Sequence, residues 1–131
     1  MFREMRRKRQ ALPQEICDAV LRRGTSGVLA LSGDDGYPYA VAISYIYDGE
    51  KLYFHSARQG HKLDAIRILE SEREKRTAIE KLALKYAPEG TPMHRQDTIG
   101  REWSSLYMLE MTPEHISGKE AIELVNRSAD F

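Results

Sequence analysis

The apolar residues of this chain follow two rhythms. Short runs of β-branched and aromatic residues predict strands, and apolar residues at helical spacing predict helices. Gly27–Ser32 (GVLALS) reads as a short strand. Gly33-Asp34-Asp35-Gly36 then turns the chain into a long arm, Tyr39–Tyr47. Asp48-Gly49 is a tight-turn signal, because glycine accepts the positive φ that such a turn needs. Lys51–Ser56 returns as the second arm of the hairpin. The spacing thus predicts three successive strands in an antiparallel meander. Trp103–Met111 (WSSLYMLEM) predicts a fourth, stopped by Thr112-Pro113.

The helical segments are equally marked. Leu12-Pro13 opens a first helix with proline at an early position, where its missing N–H costs nothing. Ile16, Ala19, Val20 and Arg23 supply its face, and Gly24 stops it. From His61 to Ala87 there is no Gly or Pro. Ser71-Glu72-Arg73-Glu74 is a capping-box signature, and Ile79, Leu82, Ala83 and Tyr86 form one apolar face after it. Ile66–Glu70 contains no strong helix breaker, so the helix that begins near His61 is expected to merge with the one capped by Ser71. Pro88-Glu89-Gly90 ends that helix. Gly90–Gly100 reads as a loop, and Glu120–Asn126 as a last short helix. There are no internal repeats and no low-complexity tracts.

This inventory predicts one α+β domain, residues 1–131, with an antiparallel sheet of about four strands and flanking helices. Four strands do not close a barrel, which usually needs about six to eight. The sheet edges must therefore be covered by helices or by a second copy of the chain, and a homodimer is expected.

Composition narrows the chemistry. Lys and Arg total 20 and Asp and Glu total 20, so the formal net charge is zero. That argues against nucleic-acid binding by bulk charge. No apolar run approaches the roughly 20 residues that span a bilayer, and no signal peptide is visible, so a cytoplasmic protein without a membrane role is expected. The basic start, with Arg3, Arg6, Arg7, Lys8 and Arg9 against Glu4, reads as a solvated or partner-docking arm rather than a nucleic-acid arm. The single cysteine, Cys17, lies beside Ile16 and Val20 and reads as a buried structural residue. The four histidines, at 55, 61, 94 and 115, show no metal spacing with each other or with Cys17. His94 and Asp97 in the predicted loop are candidates for metal or base chemistry, or simply solvent contacts. No dinucleotide-binding glycine motif, P-loop, nucleophile elbow or zinc-protease motif is present.

One local pattern does carry chemistry. The second arm runs into His55, Ser56, Ala57, Arg58, Gln59, Gly60, His61 and Lys62. It gathers a hydroxyl, cationic or protonatable groups and a glycine where a strand gives way to a helix. A phosphate-bearing ligand needs such groups. A chain without a catalytic motif of its own, but with such an elbow, suits a cofactor that brings the chemistry. For Ser56 and Lys62 the alternative is an ordinary polar strand exit and a solvated helix start. For His55 it is a surface or interface histidine. Tyr45 and Tyr47 can simply pack, and Trp103 reads as core or edge cover rather than a flavin stacker.

The segments FREMRRKRQ, TSGVLALSGDDGYPYAV, ISYIYDGEKLYFHSA, GHKLDAI and ISGKEAIELVN resemble the pyridoxamine 5'-phosphate oxidase-like family of FMN-binding split barrels. Within it, the chain is most similar to the nitroimidazole-resistance branch. The resemblance implies FMN at a homodimer interface. It implies that Ser56, Arg58, His61 and Lys62 meet the phosphate and ribityl chain. Ser44 and Tyr45 would lie near the flavin ring, with His55 at the edge of the site. It also implies an FMN-dependent oxidoreductase that passes electrons from a nicotinamide reductant to a small aromatic acceptor such as a nitroaromatic. The alternatives are a non-catalytic module holding flavin or haem, and a cofactor-free dimerisation domain. The chain departs from the family pattern in two places. Ala42 stands where the family often has proline. KLDAI also runs straight into RILESEREKR, where the family usually inserts two or more strands between Ile66 and Arg67.

Overall fold

The chain switches from one sheet to another at Ser44, and this corner sets the architecture. The computed structural model describes residues 2–57, 66–104 and 106–125; for Asp34, Ser56, Ala57, Ile66 and Leu106 it describes the backbone alone. Strand β1 (Gly27–Ser32) pairs antiparallel with β2 (Pro38–Ile43), from Gly27 opposite Ile43 to Ser32 opposite Pro38. The Gly33–Gly36 turn between them holds Asp35 at φ 56° and Gly36 at φ 78°. Past Ser44 the chain enters a second sheet as β3 (Tyr45–Tyr47), which pairs with β4 (Leu52–Ala57). The predicted arm Tyr39–Tyr47 is therefore two strands. Only its last three residues pair with the second arm, while β2 folds back on β1. Gly49 has φ 101°, as the Asp48-Gly49 turn required. The Asp48 Oδ1 accepts from the Glu50 and Lys51 amides at 2.9 and 2.7 Å and closes that turn.

The second sheet has the order β3-β4-β6-β5, with β5 at Ile66–Ile68 and β6 at Leu106–Met111. All of its pairings are antiparallel. The fold is α+β with antiparallel sheets, as expected. Its strands number six among the described residues, because the long arm divides and Ile66–Ile68 is extended.

Extension of Ile66–Ile68 overturns the expected merger of two helices. Ile66, Arg67 and Ile68 pair with Met111, Glu110 and Leu109. The Leu69 amide bonds Met108 O at 2.9 Å, and the Leu69 side chain is buried. Helix propensity lacks a breaker here, but the β-branched isoleucines gain strand partners and a buried neighbour, and that outweighs it. Helix α2 (Glu72–Tyr86) starts where the capping signature put it, with Ser71 Oγ accepting from the Glu74 amide at 3.4 Å.

The expected loop Gly90–Gly100 is likewise corrected to a helix, α3 (Pro92–Glu102). Thr91 caps it by accepting from the His94 amide at 3.1 Å, and Pro92 occupies its first turn. Gly100 is tolerated because a side chain there would meet nothing within 4 Å. Trp103 lies in the turn after α3 rather than in the strand, half-buried against the core. Lys75 Nζ sits 4.3 Å from its ring centroid.

The core lies between the second sheet and the helices. Leu69, Ala78, Ile79, Leu82, Ile99 and Met108 form it, with Ile46, Tyr53, Ala83 and Trp103 packed against it. Met108 is 0% exposed. On β4, Leu52 and Phe54 alternate with Tyr53 and His55, and both Leu52 and Phe54 are buried. The sheet thus buries apolar residues on both faces.

These strands with α2 and α3 make one compact unit, Thr25–Thr112. The other comprises Met1–Gly24 and Pro113–Phe131. In it, helix α1 (Gln14–Arg23) ends at Gly24 as predicted. Gln10 Nε2 donates to Glu120 O at 2.9 Å, and Leu12 N to Gly118 O at 2.9 Å. Cys17 is buried; burial and the Asp18 charge push its thiol pKa up, which keeps it protonated and unreactive. The last helix is a short 3-10 turn at Ile122–Leu124, inside the longer α-helix expected over Glu120–Asn126.

Candidate functional site

Two residues singled out for the flavin ring and its edge, Ser44 and His55, line one groove of about 290 Å³. Ser44 gets there because it is the corner between β2 and β3. His55 gets there because β4 alternates: Leu52 and Phe54 are buried on one face, while Tyr53 and His55 take the other. Ile79, Leu82 and Ala83 of α2 form an apolar wall, joined by Ile99 of α3. Thr98 and Glu102 supply polar groups on the α3 side. A planar aromatic ligand needs such a slot, with apolar walls for its faces and a few polar groups for its edge.

Tyr45 stands differently. Its side chain is buried, and burial followed by the neighbouring Tyr86 pushes its pKa up. Lys85 Nζ lies 4.2 Å from the Tyr45 ring centroid and donates to Tyr45 O at 2.8 Å. The Tyr86 hydroxyl accepts from the Tyr45 amide at 3.1 Å and donates to Thr25 O at 2.7 Å. Tyr86 also lines the groove. The end of α2 is thereby tied to the corner that carries Ser44.

Ser56 lies on β4 opposite Tyr107, and its side chain is outside the described residues. Arg58, His61 and Lys62 also lie outside them. His94 and Asp97 are exposed on α3, and neither lines the groove. Among the described residues, no group of three or more His, Cys, Asp or Glu side chains is placed to hold a metal ion. No described helix is long and apolar enough to cross a membrane.

Sequence reasoning missed Thr98 and Ile99, because Gly90–Gly100 read as a loop, and Glu102, which lay in no predicted element. The Thr91-Pro92 pair was the available signal, a capping residue followed by proline in the first turn.

Comparison with known proteins bears on the fold. Residues 13–68 match the family model described as pyridoxamine 5'-phosphate oxidase. No curated protein matches the chain. A candidate 5-nitroimidazole antibiotic resistance protein from Bacteroides thetaiotaomicron VPI-5482 superposes with a TM-score of 0.67 at 14% identity, covering 83% of this chain and 85% of its own. The flavocytochrome Anf3 from Azotobacter vinelandii also superposes at 0.67 and 14% identity, covering 90% of this chain and 72% of its own. Residues 13–68 are thus similar to the pyridoxamine 5'-phosphate oxidase family, and the chain shares its fold with these two solved structures.

Proposed function

We propose that the protein is an FMN-binding flavoprotein acting as an FMN-dependent oxidoreductase of the nitroreductase type, and that it works as a homodimer. The observation that carries this reading is the shared groove of Ser44 and His55, against the apolar side chains of α2. That donor set fits a flavin: Ile79, Leu82 and Ala83 suit the faces of the ring, while the Ser44 hydroxyl and the His55 imidazole suit its polar edge. When bound, FMN supplies the electron transfer between a nicotinamide reductant and a small aromatic acceptor. The chain's own work is to bind, orient and exclude water. The buried Tyr45 and the hydroxyl of Tyr86 hold the Ser44 corner in place. The cationic residues Arg58, His61 and Lys62, with Ser56, are the proposed seat of the phosphate. The homodimer is supported by the outer face of the β1–β2 ribbon. Val28, Ala30, Ser32, Pro38, Ala40 and Ala42 share that face by register, all are exposed, and none carries charge.

The test combines an absorption spectrum and an intact mass of the purified protein with FMN titration of the apo form. The expected result is a flavin spectrum, with reduced nicotinamide consumed when a nitroaromatic is supplied. Lys62→Ala should weaken FMN binding roughly ten- to a hundredfold, the cost of one charged hydrogen-bond partner. The apo melting temperature should hardly move. Flavin content that survives Lys62→Ala would remove the elbow as the phosphate seat. Flavin without turnover would leave a binding module, and a colourless protein that takes up no FMN would leave a cofactor-free dimerisation domain.

A further inference from the structure

A second cavity, of about 320 Å³, lies where β4, β5 and β6 meet α2, and it has the opposite character to the groove. Its walls carry four cations, Lys51, Arg67, Arg73 and Lys81, against two carboxylates, Glu74 and Glu110, an excess of two positive charges. The carboxylates are already engaged. Glu110, buried on β6, takes Arg67 Nε at 3.2 Å and Nη2 at 3.1 Å through its two oxygens, and Lys51 Nζ at 3.4 Å. Glu74 takes Arg67 Nη1 at 3.1 Å. Three of the Arg67 N–H groups thus go to two carboxylates.

Arg73 and Lys81 pair with neither of these carboxylates. They project from one stripe of α2 with Thr77 between them, each four residues from the next. Among the described residues neither makes an ion pair within 4 Å. The Asp48 carboxylate stands close enough to Lys81 for their charges to interact, and its Oδ1 also accepts from the Glu50 and Lys51 amides. Leu69 and Ala78, both buried, and the ring of Tyr53, whose hydroxyl bonds Glu110 and Asp48, form the cavity floor.

We propose that this cavity is a binding site for a small organic phosphate monoester, distinct from the groove. Such a group carries roughly two negative charges at neutral pH, and Arg73 and Lys81 are the cations that face it. The guanidinium of Arg73 offers two parallel donors to phosphate oxygens, Lys81 offers a point charge, and the organic part rests on Leu69, Ala78 and Tyr53. The volume falls at the lower end of small-ligand pockets.

The test is calorimetric titration of the purified full chain with phenyl phosphate, beside benzoate and phenol. Phenyl phosphate should bind, benzoate more weakly because it is a monoanion, and phenol not at all. Arg73→Gln and Lys81→Gln, both at exposed positions, should each weaken phenyl phosphate about tenfold or more while leaving the melting temperature and FMN binding unchanged. Absence of phenyl phosphate binding overturns the proposal, as does an affinity that survives the double substitution. Equal affinity for benzoate overturns the phosphate assignment. Loss of FMN binding in the Arg73→Gln, Lys81→Gln double variant overturns the claim of a distinct site. Because FMN binding is read separately, a protein that takes no flavin can still bind phenyl phosphate here, so the two readings fail independently.

Discussion

At the scale of single residues, Glu110 is the clearest case of a side chain whose cost is met by its neighbours. Burial alone would raise its carboxyl pKa. The hydrogen bonds and charges of Arg67 and Lys51 outweigh that and hold it below the ordinary carboxylate range. A depressed folded pKa means that the ion pair stabilises the protein above the unfolded value, and that this stability is lost as pH falls through the folded one. The melting temperature should therefore drop as pH is lowered from about 4.3 downwards. Glu110→Gln should cost about 1–3 kcal/mol at neutral pH, since it leaves Arg67 and Lys51 with a neutral partner. It should also flatten the acid limb. A parallel acid limb in the variant, seen by thermal melts across pH, would locate the acid sensitivity elsewhere. At the other end of the scale, burial followed by the charges of Asp48 and Glu110 pushes the Tyr53 pKa up to about 12. The phenol thus stays neutral on the cavity floor at physiological pH.

At the scale of elements, α2 and α3 show the same device with different legibility. Each begins at a side-chain hydroxyl that accepts from the amide three residues on, Ser71 from Glu74 and Thr91 from His94. Ser71→Ala should cost about 1 kcal/mol, the usual loss for a helix cap, read as a shifted denaturant midpoint with an unchanged slope. No shift would mean that water replaces the hydroxyl. Helix α2 was readable because its apolar residues recur at helical spacing. In α3, Ile99 alone is buried among residues hemmed in by two glycines, so the period was too sparse to see. Strand β5 was hidden for the opposite reason. Three residues carry no periodicity, and their conformation comes from Leu109–Met111, some forty positions away. The candidate site divides the same way. Ser44 came from the resemblance of the hairpin, and His55 from that and from the polar end of the second arm. The α3 side of their groove could not be found without knowing that α3 exists.

At the scale of the whole molecule, the decisive feature is an uncovered surface. Val28 is 72% exposed at one end of the uncharged β1–β2 face, opposite Ala42, and this face is the proposed dimer contact. Light scattering at micromolar concentration should report a dimer, and Val28→Glu with Ala40→Glu should convert it to a folded monomer. A wild-type monomer under those conditions would sink the dimer. What the sequence determined by itself was local: the Gly33–Gly36 and Asp48-Gly49 turns, the Gly24 stop, the Ser71 cap, and the hydrophobic rhythms that make an antiparallel α+β fold. Each depends on residues within a few positions of one another, where φ preferences, capping and side-chain period act directly. The corner at Ser44, the strand at Ile66–Ile68 and the joining of β4 to α2 and α3 around a groove were decided by tertiary structure alone. They depend on which distant segment offers a hydrogen-bonding edge or an apolar face, and that is a property of the packed chain.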